Sequence, residues 1–143
     1  MRFPPRQYAY ASIILRKPID LGAHYQHMRL IFDLRPARSV NFLSVGIVDR
    51  PRAGAPALSD VALLNRAPLL GDGWTRVIVP LIDFPLGATL EWNSAPQEPT
   101  ASPTNVGQRP LDWSRIQEIR IISPGGEIPA QEIAVRDIRF ERL

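Results

Sequence analysis

Apolar and polar residues alternate at a period of two through most of the chain, the spacing that places one face of a strand in a core and the other outside it. The clearest instance is Trp74–Phe84, WTRVIVPLIDF, where Val77, Val79 and Leu81 alternate with Arg76, Ile78 and Pro80. Pro80 cannot donate to a ladder, so regular pairing weakens there and Asp83–Phe84 leads the chain out. The same alternation predicts strands over Tyr8–Arg16 (Ala11, Ile13 and Leu15 inward, ending at Lys17-Pro18) and Arg29–Leu34 (Leu30, Phe32 and Leu34 inward). In Asn41–Asp49, Leu43, Val45 and Ile47 face one way, and on the other side Ser44 and Gly46 are small enough to leave room above the sheet.

Pro51–Ser59 reads as a loop, Val61–Arg66 as a short edge strand and Gly71-Asp72-Gly73 as a turn. Pro85 to Pro110 has no sustained period and is expected as a long Pro-rich loop. Beyond it, Ser114 opens a short helical turn, Glu118–Ile122 is a strand with Ile119 and Ile121 inward, and Pro124-Gly125-Gly126 is a tight turn. In the last strand, Ile133–Glu141, the alternation slips: Ile133 and Val135 share one parity, Ile138 and Phe140 the other. A phase change needs an extra residue, which predicts a bulge at Arg136–Asp137. The pattern as a whole predicts an all-β chain, an antiparallel β-sandwich of Greek-key or jelly-roll type, with residues 1–143 as one domain.

Composition changes this picture little. The 143 residues are 45% hydrophobic and 22% charged, ordinary for a folded domain. No apolar run reaches the roughly 20 residues of a membrane span, and MRFPPRQY lacks the apolar region of a signal peptide, so neither is expected. The absence of cysteine excludes disulfides and zinc–thiolate sites. All but one of the 17 basic residues are arginines, spread without a basic run, so nucleic acid is not expected as a partner.

The candidate chemistry is sparse. His24 and His27 have no further ligands nearby, no phosphate loop, nucleophile elbow or HExxH is present, and no pair among the dispersed carboxylates is singled out. A non-enzyme is expected. Collected by parity, Tyr10, Ser12, Arg16, Arg29, Ser44, Gly46, Arg76, Arg120 and Arg136 face away from the core residues of their strands. If they share a sheet, they form an arginine-rich face suited to carboxylate- or sulfate-bearing glycans; otherwise they are solvated decoration.

The order of strands resembles the jelly-roll domains of the galactose-binding-like superfamily, which includes non-catalytic carbohydrate-binding modules of glycoside hydrolases. The residues that carry the resemblance are Trp74, Val77, Val79, Pro80, Leu81 and Phe84, then Leu111, Trp113, Ile116 and Ile119, then Val135, Asp137, Ile138 and Phe140. It implies a polysaccharide or oligosaccharide partner, other domains of a larger parent protein, and an extracytoplasmic location. No cofactor is required, although the resemblance implies a structural calcium with Asp137 at the matching position; the alternative is an Asp137 paired with Arg136, Arg139 or a backbone amide. It also implies a sugar surface on a sheet face or at loop tips, for which Tyr8, Tyr10, Arg76, Trp92, Arg120 and Arg136 are the candidates. Trp74 and Trp113 match core positions of the family, and Trp92 is either a stacking platform or a loop anchor. The alternative function is a structural or protein-interaction β-sandwich of a larger bacterial extracytoplasmic assembly.

Overall fold

The computed structural model describes residues 2–3, 8–35, 43–63, 73–91, 104–124 and 131–143, with side chains for 10–35, 43–63, 73–90, 107–123 and 133–143. The strands among them are β1 (Arg2–Phe3), β2 (Tyr8–Ile19), β3 (Met28–Arg35), β4 (Ser44–Asp49), β5 (Ala57–Ala62), β6 (Thr75–Pro80), β7 (Gly87–Glu91), β8 (Thr104–Arg109), β9 (Ile116–Pro124), β10 (Gln131–Glu132) and β11 (Ala134–Arg142). One sheet runs β2-β9-β4-β5-β7-β8, a second β11-β3-β6, and β1 pairs with β10. Every described pairing is antiparallel. Among the described residues no helix is long and apolar enough to cross a membrane.

The alternation seen in sequence decides which faces meet. Leu30, Phe32 and Leu34 of β3 and Val77 and Val79 of β6 pack against Val45 and Ile47 of β4 and Ile119 and Ile121 of β9 in one buried cluster. Full burial of each such side chain stabilises the fold by about 1.5–3 kcal/mol, so the two sheets are held chiefly by this contact. The result is an antiparallel β-sandwich of jelly-roll type.

Four local expectations are corrected. The stretch 85–110 is not one loop, because β7 and β8 pair within it from Gly87↔Arg109 to Glu91↔Thr104. Its prolines misled: Pro85 and Pro110 flank the strands, where a missing N–H does no harm. The edge strand at Val61–Arg66 is instead β5, which starts at Ala57 and pairs with both β4 and β7, an interior position. Its inward residues Ala57, Ser59 and Val61 are small, while Leu58 points outward, so the alternation is faint. β2 does not stop at Lys17-Pro18 but continues to Ile19 through a register slip; as an edge strand it tolerates the proline. Trp74 is not a core residue: it shares the parity of Arg76, opposite to buried Thr75 and Val77, and lies on the outer face of β6.

The bulge in β11 is where the phase slip placed it, as a register shift between Arg136 and Arg139. Asp137 adopts φ +55°, a left-handed conformation that Asp tolerates better than most residues. The six-stranded sheet has its own anchor in Asp49, whose side chain is fully buried at the end of β4. Its Oδ1 accepts from the Ala57 amide (2.8 Å) and Arg109 Nη2 (2.8 Å), and its Oδ2 from Arg109 Nη1 (2.5 Å) and the Asp112 amide (2.7 Å). One carboxylate thus ties β4 to the start of β5, the end of β8 and the turn into β9.

Removing one partner of a buried pair leaves the other uncompensated and typically costs about 3–5 kcal/mol. Asp49→Ala is expected to lose stability on that scale in urea denaturation, and Asp49→Asn, which keeps one acceptor, to lose less. An Asp49→Ala midpoint equal to that of the native chain would contradict the anchoring role.

Candidate ligand-binding face

The outward residues of the six-stranded sheet stand in register rows. Across β2, β9, β4 and β5 they run Tyr10–Ile122–Ser44–Ala62, then Ser12–Arg120–Gly46–Asp60, then Ile14–Glu118–Val48–Leu58. The period of two that sends Ile119 and Ile121 inward sends Glu118 and Arg120 out, onto the same face as Tyr10 and Ser12. The polar groups there are joined: Ser12 Oγ donates to Glu118 Oε1 at 2.5 Å, and Arg120 Nε donates to the same oxygen at 2.6 Å. The Arg120 guanidinium lies 4.1 Å from the centroid of the Tyr10 ring. Tyr10 remains 37% exposed while Arg120 is 8% exposed, so the arginine is a fixed, pre-oriented donor beneath a half-open aromatic ring.

Gly46 keeps the middle of this face low. A Cβ there would come within 2.7 Å of Leu58 Cδ1 and 3.0 Å of Ile122 Cδ1, so those side chains already close over it. Asp60, its register neighbour, makes no ion pair among the described residues. Although exposed, its carboxyl is partly desolvated, and this raises its pKa above the ordinary 3.8. Arg120 and Glu118, on β9 two strands away, are engaged with each other and do not offset it. Beside the face, Glu118 and Arg120 also line a cleft of about 140 Å³ with Asp49, Pro56 and Leu90.

The outer face of the three-stranded sheet is different. Both oxygens of Asp33, whose side chain is 1% exposed, are taken by arginines: Arg76 Nε to Oδ1 at 2.9 Å, and Arg76 Nη2 (3.3 Å) and Arg136 Nε (3.2 Å) to Oδ2. The Arg76 hydrogen bond, opposed by burial and reinforced by Arg136, holds the Asp33 carboxyl below its ordinary pKa. The stabilisation is therefore present above the ordinary value and is lost as pH falls through the lowered one. Glu141 accepts from Arg29 (2.7 Å) and Arg139 (3.0 Å), and those contacts lower its pKa in the same way. The guanidinium of Arg136 lies 3.9 Å, and that of Arg35 4.9 Å, from the Trp74 ring centroid.

The candidates from sequence therefore divide between two sheets. Tyr10 and Arg120 come together on the larger one, Arg76 and Arg136 on the smaller. Tyr8 pairs with Pro124 through its backbone, its side chain lying outside those described, and Trp92 lies outside the described residues altogether. Asp137 is 62% exposed beside Arg136 (3.7 Å), and among the described residues no group of three His, Cys, Asp or Glu side chains could hold a metal ion. The described residues thus do not fit a calcium site at Asp137.

Glu118 and Asp60 were missed, and Ser12 was read as outward without its partners. Their parity was readable, but the alignment of three strands in one register was not. A further cavity of about 500 Å³ opens at the end of the sandwich, lined by Tyr25, His27, Ile82, Phe84, Leu86 and Trp113. There Tyr25 and Trp113 stack in parallel at 5.0 Å, and Phe84 meets Trp113 edge-on at 6.2 Å. Trp113 is half-buried against the core, as its expected role required, whereas Tyr25, in the 3-10 turn Tyr25–His27, carried no strand pattern to flag it.

Together these features define an antiparallel β-sandwich with polar and aromatic groups on both outward sheet faces and an aromatic-lined cavity at one end. No family model matches the sequence, and no curated protein matches it. Among solved structures, a family 30 carbohydrate-binding module is similar to it with a TM-score of 0.64 and 16% identity, over 95% of this chain and 68% of that one. The two chains share a fold.

Because the Asp60 carboxyl binds its proton more tightly when folded, it opposes folding above its raised pKa, and the opposition fades as pH falls toward the ordinary value. Asp60→Asn is accordingly expected to melt higher than the native chain at pH 7, with the gap closing near pH 4. A gap that is absent or independent of pH would remove the desolvated charge from this account.

Proposed function

We propose that the chain is a non-catalytic carbohydrate-binding module of the galactose-binding-like jelly-roll type, holding a polysaccharide or oligosaccharide on the outward face of its six-stranded sheet. Sugars present apolar C–H faces and hydroxyl edges, so a binding surface needs an aromatic ring beside fixed donors and acceptors. The observation that carries the reading is the half-exposed Tyr10 next to the bonded Ser12–Glu118–Arg120 group on one face. Asp60 adds an acceptor at the far end of the row, and Gly46 lets Leu58 and Ile122 close over the floor between. The likeness of fold to a carbohydrate-binding module supports the same reading. The non-catalytic reading is supported by Glu118, whose carboxylate is already engaged by Ser12 and Arg120 rather than poised for proton transfer.

Charge narrows the ligand. In the three register rows Glu118 and Asp60 accompany a single guanidinium, Arg120, which Glu118 already pairs, so this surface favours neutral glycans over acidic ones. The expected location is extracytoplasmic, as part of a larger protein. A second reading, a protein-interaction domain, is favoured by the sandwich end, where Ile82 (58%) and Leu86 (55%) stand exposed beside the 500 Å³ cavity.

Affinity gel electrophoresis over a panel of neutral β-glucans, mannans and xylans separates the two. Tyr10→Ala is expected to weaken retention by roughly tenfold, about 1.4 kcal/mol, and Glu118→Gln to weaken it as well. Ile82→Ser/Leu86→Ser is expected to leave retention unchanged. Absence of retardation by every glycan, with partner-dependent size-exclusion behaviour abolished by the Ile82/Leu86 variant, would replace the first reading with the second.

A further inference from the structure

The outer face of the three-stranded sheet carries more positive charge than it pairs. Arg29, Arg35, Arg76, Arg136 and Arg139 project there from β3, β6 and β11, against Asp33, Asp137 and Glu141. Asp33 and Glu141 each take two arginines, so four guanidiniums are spoken for by two carboxylates. Arg35 has no carboxylate partner among the described residues; its one recorded contact is the Trp74 ring. Asp137 turns 62% of its side-chain surface to solvent; its carboxylate lies 3.7 Å from Arg136, and its carbonyl accepts from Arg139 Nη1 at 3.3 Å.

A surface needed only for solubility does not require its cations to be ordered. Here they are held: Asp33 fixes Arg76 and Arg136, and Trp74 bears Arg136 and Arg35. A guanidinium lying over an indole keeps its N–H edge directed outward while its face is occupied, which leaves the fork that binds a planar anion in two bonds. Arg35 and Arg136 are both exposed, with their guanidinium carbons 4.9 Å and 3.9 Å from this ring centroid, and Arg136 bonds Asp33 through Nε, not through its terminal nitrogens. Trp74 therefore works as a mount for arginines rather than as a bare sugar platform.

We propose that this face is a second binding site, for the anionic groups of an acidic polysaccharide, carboxylate or sulfate, with Arg35 and Arg136 on Trp74 as its centre. The site is distinct from the neutral-glycan face, and it rests on the carbohydrate reading only in the polymer being a glycan. Charge complementarity argues for the occupant: each sheet presents one outward face, and of the two only this one carries an excess of guanidinium. Repeating anions along a polymer would meet the arginine rows of β3, β6 and β11 in succession, and the attraction would be screened by salt.

The test compares the full chain with Arg35→Gln/Arg136→Gln, Arg35→Lys and Trp74→Leu in affinity gels containing polygalacturonate, heparin or a neutral β-glucan, at low and high salt. Polygalacturonate and heparin separate carboxylate from sulfate as the preferred anion. Retardation by at least one of them is expected to fall about tenfold or more in the double variant, the scale of a lost charge-assisted bond, and to fall in native chain as salt rises. Arg35→Lys, which keeps the charge but not the fork, is expected to recover only part of the affinity. Binding of the neutral glucan is expected to be unchanged in these variants and weakened in Tyr10→Ala, so that each site fails or stands separately. Circular dichroism melting shows that the variants fold. No retardation by either acidic glycan, equal retardation in the double variant, or equally tight binding of a single-stranded DNA of matched charge would each overturn the proposal.

Discussion

The arrangement of the larger sheet depends on one buried carboxylate. Asp49 sits where β4 ends and its register with β9 shifts, and all of its accepting capacity is used on Ala57, Arg109 and Asp112. Those partners belong to three different segments that meet nowhere else through backbone pairing. Arg109 extends the junction by donating to the carbonyls of Ala55 (2.9 Å) and Pro110 (3.0 Å). Without this charge the start of β5 would lose the bond that sets its register beside β4, and with it the row that places Asp60 next to Gly46. Alternation already forbids a one-residue slip of β5 against β4, which would turn Ala57, Ser59 and Val61 outward, and the ionic junction adds to this by fixing where the strand begins.

The sandwich then separates two surfaces of unlike character. Alternation obliges each sheet to export what it does not bury. In the three rows of the larger sheet the exported set is mixed, with an aromatic, two serine hydroxyls, two carboxylates and one guanidinium. On the smaller it is dominated by arginine. Ile31, although it faces outward on β3, is 2% exposed, because its register neighbours Arg139 and Ile78 and the arginine stems around them cover it. The arginines of this face therefore contribute packing as well as charge, which explains why they are ordered rather than free.

How much of this could be read from the chain follows from what alternation encodes. It encodes parity, so the inward residues of β3, β4, β6 and β9 and the bulge before Arg139 were legible. It does not encode which strands are neighbours. Arg76 and Arg120 share an outward parity yet lie on different sheets, and only the register of β9 with β2 reveals that Ser12 and Glu118 share a hydrogen bond. Strands with small inward residues, as in β5, or bounded by proline, as in β7 and β8, fall below the contrast that alternation needs. Trp74 was misjudged because its match to the family's core positions was given more weight than parity: a tryptophan that shares the parity of Arg76 belongs outside whatever its hydrophobicity, provided arginines cover its ring.

The two local departures from an optimal fold coincide on one face. Asp60 keeps a partly desolvated carboxylate with no ion pair among the described residues, and Gly46 gives up a side chain in a strand interior so that Leu58 and Ile122 can close over it. Neither serves the core, since both point away from it, and neither is required by a turn. A sheet selected for stability alone would place a neutral or paired residue at the first. Such departures gather where a surface must meet a ligand, because an acceptor with no partner among the described residues is useful when something else supplies one. That they stand in the same row as Arg120 and Ser12, next to a half-open tyrosine, is the strongest physical reason to place binding on the larger sheet.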